Sequence, residues 1–198
     1  MCLNKKTILL IASFLICSAS FAQIQVARLM MKTQMPDASG MQTYQNISAI
    51  GFGTFLNFGF TLPQNDEITV EGGFYAFNYD DSQIYSAPCL ISYRHLVNQD
   101  DGYGLYIEPA AGYAFGSTDF PMSAPGGQSL YNANGTEVMQ KVTGPAVALT
   151  FGYLFQPSGW LRFNIGLRYD RTFVSGGYPA TNVISLRIAH AFSFGRRD

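Results

Sequence analysis

Two histidines, one late cysteine and a set of acidic and basic side chains are the residues of this 198-residue chain whose types could do chemistry. His95 and His190 stand alone in the sequence, and Cys89 is the one cysteine after residue 22. Metal sites need clustered ligands, and the chain has neither an H-E-x-x-H pattern nor a cysteine pair after residue 22. We therefore predict no metal and no cofactor. A phosphate-cradling glycine loop and a G-x-S-x-G elbow are also absent, so soluble hydrolase and nucleotide chemistry are unsupported.

Seven charged residues fall at alternate positions of segments whose other face is apolar. They are Glu71, Arg94, Glu108, Arg162, Arg168, Asp170 and Arg187. A charge left unpaired away from water is costly, so we expect these side chains to form carboxylate–guanidinium pairs that fill the interior of the fold. A proton relay or a catalytic dyad in this network is the alternative.

The same alternation directs His95 and His190 to the opposite face, away from the inward serines and acids. Catalysis by a lipid-modifying enzyme would need a histidine, a serine and a carboxylate within hydrogen-bond reach. The sequence therefore assigns no catalytic residue, and the enzyme stays an alternative.

Composition narrows the class of protein. Only 13% of the residues are charged, 47% are hydrophobic and 15% are aromatic, which disfavours disorder and an ordinary soluble enzyme. A formal net charge of −1 provides no basic field for nucleic acid. We predict no nucleic-acid partner.

The N-terminus has the pattern of a secretory signal peptide. Lys5 and Lys6 precede an apolar run, and small residues stand one and three positions before a cut after Ala22. We expect residues 1–22 to be removed and residues 23–198 to form one domain. One remaining thiol cannot make an internal disulfide.

Period-two alternation dominates after residue 22 and predicts eight strands. Their ranges are 23–32, 46–62, 67–79, 84–96, 103–116, 141–155, 160–174 and 182–195. Tight turns alternate with other connections, among which 33–45 and 117–140 are long, and this is the layout of an up-and-down transmembrane barrel. Gly72 and Gly73 are candidates for a bulge that would flip part of the third strand.

Large apolar residues occupy one face of each predicted strand, while small and charged residues occupy the other. A soluble lipocalin-like barrel would be apolar inside, and a membrane barrel is apolar outside. Since only Lys32 and Lys141 remain after residue 22, the sequence favours the membrane barrel over the soluble binding barrel. Aromatic residues near the strand ends are expected to form interfacial girdles. They are Tyr93, Tyr113, Phe115, Tyr153 and Phe194.

The run Gly104-Leu105-Tyr106-Ile107-Glu108-Pro109-Ala110-Ala111-Gly112-Tyr113-Ala114-Phe115 and the closing Phe192-Ser193-Phe194 resemble the small porin-like, OmpA/OmpX-type outer-membrane β-barrels of Gram-negative bacteria. The resemblance implies location in the cell outer membrane, contact with its lipid and insertion by the barrel-assembly machinery. It carries over no catalytic residue. The prediction is an all-β, eight-stranded, monomeric and non-enzymatic barrel with a filled polar lumen. Its role would lie in envelope structure or in surface interaction through the outer loops, above all 117–140.

Overall fold

The computed structural model describes residues 19–36, 42–97, 103–121, 131–158, 161–174 and 180–192. Nine strands lie in this part of the chain. They are β1 (Ala19–Pro36), β2 (Gln42–Thr61), β3 (Glu67–Tyr79), β4 (Ser82–Leu96), β5 (Gly104–Pro121), β6 (Met139–Lys141), β7 (Gly144–Ser158), β8 (Leu161–Thr172) and β9 (Thr181–Phe192). A short 3-10 helix, Pro63–Asn65, joins β2 to β3. No helix among the described residues is long and apolar enough to cross a membrane.

Eight of the strands close into an antiparallel barrel. Each of these strands pairs with its neighbour in the order β1, β2, β3, β4, β5, β7, β8, β9, and β9 pairs back with β1 from Ser20–Phe192 to Met30–Asn182. Closure satisfies the backbone groups along the strands and leaves no sheet edge. The predicted eight-stranded barrel is confirmed.

The connections divide the barrel into two ends. The β2–β3, β4–β5 and β7–β8 connections lie at one end, here called the turn end, and all the others lie at the opposite end, called the loop end. At the turn end the Leu62 N–H donates to the Asp66 carbonyl oxygen across the 3-10 helix (2.6 Å). Asp80 at the loop end takes a φ of 48°, which lets a two-residue turn join β3 to β4.

The predicted strand bounds are reproduced for the third strand and extended or shifted for most others. β5 continues to Pro121, and β6 pairs with it at Ser117–Lys141 and Pro121–Met139, so both ends of the segment expected to be a long loop are strand. β1 begins at Ala19, ahead of the predicted start of the mature chain, and the cleavage site remains a prediction.

The expected bulge at Gly72 and Gly73 is wrong. β2 pairs with β3 without interruption through Phe55–Gly73 and Leu56–Gly72, and β3 keeps one register with β4 from Gly72–Cys89 to Tyr75–Ser86. Instead of creating a bulge, Gly73 leaves room inside the barrel for the ring of Phe55, because a Cβ there would overlap it. The inward face of β3 therefore continues unbroken from Glu67 to Tyr79.

The outer face of the barrel is apolar. Exposed large hydrophobic side chains occur on all eight barrel strands, for example Ile24 on β1, Phe52 on β2, Leu167 on β8 and Ile188 on β9. Burial alternates with exposure along the strands, so the intervening side chains fill the interior. This is the reverse of a soluble lipocalin-like barrel, in which the apolar face is inside.

Candidate functional site

All seven charged residues singled out in the sequence are buried inside the barrel, and together with Glu67 they form two groups. The first group, here called the lower network, runs as a chain of alternating charge between β8, β3, β4, β5 and β9. Its members are Arg162, Glu67, Arg94, Glu108 and Arg187. The second, here called the upper network, contains Glu71, Arg168 and Asp170.

Two glutamates hold the lower network together. Glu67 accepts from Arg162 (2.6 Å) and from Arg94 (2.9 Å) through its two carboxylate oxygens. Glu108 accepts from Arg94 (2.6 Å) and from Arg187. Because each glutamate bridges two arginines contributed by different strands, the network ties together parts of the barrel that are far apart in the chain.

Arg168 forms the centre of the upper network. Its Nε donates to Asp170 Oδ1 (2.9 Å), and its NH1 donates to Glu71 Oε2 (2.9 Å). Tyr75 donates to Asp170 Oδ2 (3.2 Å) and to Gln25 Oε1 (2.6 Å), which connects this network to β1. The two networks together contain four arginines and four carboxylates, so their formal charges balance.

Apolar side chains enclose the two networks from both ends. At the turn end, Leu96, Tyr106 and Leu154 form a buried cluster, and the Arg94 guanidinium lies 4.7 Å from the centre of the Tyr106 ring. At the loop end a larger buried cluster fills the interior. Its members are Ala27, Leu29, Met31, Ile47, Ala49, Phe55, Tyr75, Phe77, Ile84, Phe120, Val142 and Val183.

The apolar cluster at the loop end was not predicted, since the sequence indicated a polar interior. Its largest members, such as Phe55 and Phe77, lie on the face of their strands that also carries Gly, Thr and charged residues. Their position in the alternation could have revealed them, because the odd-numbered residues of β2 and β3 point into the barrel.

Side chains also join opposite walls of the barrel at the loop end. Thr33 on β1 donates to the Gln140 side chain on β6 (2.5 Å), and Thr118 on β5 donates to the Gln140 carbonyl oxygen (3.0 Å). Because β1 and β5 face each other across the ring, these contacts show that the short strand β6 reaches over the interior.

A third cluster at the turn end involves Asp66, Tyr93 and His95. The Asp66 carboxylate accepts from the Tyr93 hydroxyl, lies 3.1 Å from His95 Nδ1 and accepts from the Leu96 N–H (3.4 Å). Burial raises the pKa of Asp66, but hydrogen bonds from Tyr93 and His95 outweigh it, so the pKa lies below its ordinary value of 3.8.

Asp66 adds a contact that the sequence did not predict, because alternation placed the histidines only relative to the inward acids. The inward acids do lie on the other face from His95, but the turn brings Asp66 beside it. The pairing of Glu67 with Arg94 is what sets this contact, because it places the preceding residue next to His95. Asp66 and Glu67 are the two acids of these clusters that the sequence did not single out.

His190 faces outward on β9, with its ring 4.7 Å from that of Phe163 in an edge-on arrangement. Among the described residues, no three His, Cys, Asp or Glu side chains come together in a way that could hold a metal ion. Ser92, on the same strand as His95 but on its inner face, shares a hydrogen bond with Thr69 (2.5 Å).

Four of the five predicted girdle aromatics lie on the outer face. Tyr93 and Tyr153 are near the turn end, and Tyr113 and Phe115 are nearer the loop end, all of them exposed. Phe194 lies outside the described residues. Whether these rings mark a membrane interface remains a prediction.

No protein-family model and no curated protein matches the chain. Solved structures do match it. Neisserial surface protein A (NspA) shares 14% identity over 89% of this chain and 99% of its own, with a TM-score of 0.52. Ail, the attachment invasion locus protein of Yersinia pestis, crystallised with the heparin analogue sucrose octasulfate, shares 14% identity over 88% of this chain and 99% of its own, with a TM-score of 0.53. With its closed ring of eight antiparallel strands, this chain has the fold of the small outer-membrane β-barrels.

Proposed function

We propose that this protein is an integral barrel of the Gram-negative outer membrane, sealed by its own side chains, which contributes to envelope structure and to surface interaction. The observation that carries the proposal is the distribution of polarity. The apolar outer face suits hydrocarbon, and the ionised side chains are paired inside.

The closed lumen is supported by the layers along the barrel axis. Paired charges are enclosed by Leu96 and Leu154 towards the turn end and by Phe77 and Phe120 towards the loop end, all nearly inaccessible to solvent. An eight-stranded barrel has an interior just wide enough for side chains to fill. We expect such a filling by the described side chains to leave no continuous aqueous path for a solute.

The surface role is supported by the loop end and by the fold. β1 and β2 continue together past the strands on either side of them, since they pair as far as Pro36–Gln42 whereas the β1–β9 pairing stops at Met30–Asn182 and the β2–β3 pairing at Ile50–Asn78. Ail, which has the same fold, is named for attachment and invasion. Long outer segments on a rigid barrel are where recognition is expected.

The first experiment tests location and folding. Cells that express the full chain are fractionated, and the membrane fraction is run on a gel with and without boiling. We expect the protein in the outer membrane, with a mobility that changes on boiling, and an N-terminus at Gln23. A soluble periplasmic protein whose mobility boiling does not change would contradict the proposal.

The second experiment tests the sealed lumen. The purified barrel is added to a planar lipid bilayer, with a general porin as the positive control. We expect no current steps from this protein, because its interior charges are paired and enclosed. Reproducible steps from the wild type would refute the sealed interior without bearing on location.

A lipid-modifying enzyme is the second candidate, and one contact favours it. The 3.1 Å contact between His95 Nδ1 and the Asp66 carboxylate supplies two of the three groups that such a site needs. We favour a structural role, in which the pair fixes the β2–β3 turn. Lipid analysis of cells that carry His95→Ala or His190→Ala tests this, since altered lipids in the wild type but not in a variant would establish the enzyme.

A further inference from the structure

Three cations interrupt the apolar outer face at its loop end. Arg28 and Lys32 on β1 and Arg171 on β8 all point outward and are exposed. None of the ion pairs between described residues involves any of the three. They are here called the cation triangle.

Strand register sets the shape of the triangle. Asn182 on β9 pairs with Met30 on one side and with Arg171 on the other, so Arg171 lies in the row of Met30, midway between Arg28 and Lys32. Standard strand spacing puts each pair of Cα atoms roughly 12 to 13 Å apart, a distance that long side chains can close around one ligand.

Local contacts hold two of these cations in place without neutralising them. Arg28 Nε donates to Ser48 Oγ on β2 (2.8 Å), and the Arg28 side chain stays exposed. The Arg171 guanidinium lies 5.3 Å from the centre of the Phe173 ring. Both arrangements orient a guanidinium at the surface for a bidentate acceptor such as phosphate.

Charge is distributed unevenly around this end of the barrel. The exposed carboxylates of the described residues near the barrel wall at the loop end are Asp80 and Asp81 in the β3–β4 turn and Asp119 on β5. β4 faces β9 across the ring, so these acids lie on the side away from the triangle. Among the described residues, the loop-end charge is therefore positive on the side that carries the triangle and mixed on the other side, which favours an anion at the triangle.

Below the triangle the same strands present apolar side chains, which are aliphatic on β1 and β9 and include Tyr169 and Leu167 on β8. Towards the turn end from Arg28 lie Ile24 and Val26 on β1, and β9 beside it exposes Leu186 and Ile188. A ligand with phosphates above and several acyl chains below fits both surfaces, because its chains would lie along the aliphatic strip while its phosphates meet the cations.

We propose that the face formed by β1, β9 and β8 binds one phosphorylated, multiply acylated lipid of the outer leaflet, with its phosphates held by Arg28, Lys32 and Arg171. The inference rests on the proposed function, since it requires the loop end to lie at the outer surface of the membrane. It adds a specific lipid site to a barrel whose outer face would otherwise contact any membrane lipid.

Native mass spectrometry of the folded barrel in detergent micelles tests the site. The probe is bisphosphorylated, hexa-acylated lipid A, and phosphatidylcholine is the zwitterionic comparison with no net charge. We expect one lipid A molecule per barrel, and we expect the triple variant R28Q/K32Q/R171Q to bind it on the order of 100-fold more weakly, about fivefold for each cation.

Lys141→Gln is the matched control. Lys141 is also an exposed cation at the loop end, but its strand β6 pairs with β5 beside Asp119, on the far side of the barrel. We expect this variant to bind lipid A within about twofold of the wild type. Equal losses in Lys141→Gln and in the triple variant would overturn the site and indicate a general charge effect.

Sucrose octasulfate distinguishes a lipid site from a site for any polyanion. It carries negative charge but no acyl chains, so we expect it to bind the wild type at least about tenfold more weakly than lipid A does. Comparable binding of the two probes would overturn the lipid assignment.

Gel mobility before and after boiling separates this inference from the proposed function. A triple variant that runs as a folded barrel but loses lipid A supports the inference. A folded wild type that does not bind lipid A overturns the inference and leaves the proposed function intact. A wild type that never forms a heat-modifiable membrane barrel contradicts the proposed function itself.

Discussion

Removal of the Glu108 carboxylate is the sharpest test of the interior networks. Glu108 accepts from Arg94 and Arg187, and it is fully buried. In Glu108→Gln the four arginines would face three carboxylates. Arg94 keeps Glu67 at 2.9 Å, but among the described residues Arg187 pairs with no other carboxylate. A buried charge whose partner is removed typically costs about 3 to 5 kcal/mol, and we expect a loss of unfolding free energy in this range.

A second substitution shows whether the loss comes from the orphaned charge. In the double variant E108Q/R187Q the interior charges balance again, and Arg94 still has Glu67. We therefore expect the double variant to recover about 2 kcal/mol relative to the sum of the single changes. Lys141→Gln, an exposed residue outside both networks, is the control and should change stability by less than about 1 kcal/mol.

The assay is equilibrium unfolding in urea of the barrel folded into lipid vesicles. The folded fraction is measured from the mobility of unboiled samples and from far-ultraviolet circular dichroism. A loss below about 1 kcal/mol in Glu108→Gln, or strict additivity in the double variant, would refute the idea that paired interior charges hold the strands together.

Three further predictions follow from local features. The pKa of Asp66 in the folded protein lies below its ordinary value of 3.8. The ionised carboxylate therefore contributes its full stability above pH 3.8, and this contribution is lost as the pH falls below that value. The difference in urea midpoint between the wild type and Asp66→Asn should be largest at neutral pH and should shrink in acid. An unchanging gap would contradict this. Gly152→Ala would place its Cβ 2.5 Å from the Tyr106 hydroxyl, and we expect it to lower the free energy of unfolding by about 1 to 3 kcal/mol. Gly72→Ala should be tolerated, because no atom lies within 4 Å of the added Cβ. Equal urea midpoints for the two variants would count against the packing argument. The Cys89 thiol is exposed on the outer face of β4. In vesicles a lipid-soluble maleimide should therefore label it, and a charged maleimide should not. Rapid labelling by both reagents would place this face in water.

Contacts between residues that are far apart in the chain could not be predicted from the sequence. The contact of Asp66 with His95 joins residues 29 positions apart, and the Arg162–Glu67 bond joins residues 95 positions apart. Alternation shows which way each side chain points. It does not show which strands face each other or how high each residue lies along the barrel axis. The register of every strand pair is needed for that, and hydrogen bonding around the closed ring sets it.

What the sequence determined by itself was local. The direction of each side chain follows from the period-two geometry of a strand, so the apolar outer face and the inward course of Glu71, Glu108, Arg168 and Arg187 could be deduced without coordinates. Turn residues such as Pro63 and Asp80 marked where strands end, and together these signals led to eight strands.

Tertiary structure alone decided how these inward residues combine. It joined β9 to β1, placed Glu67 between two arginines and set apolar clusters above and below the charges. It also brought Arg171 into the row between Arg28 and Lys32. Each of these arrangements depends on strand register and ring closure. They are properties of the whole sheet, because pairing a strand two residues further along would keep every side chain on its face but exchange all of its partners.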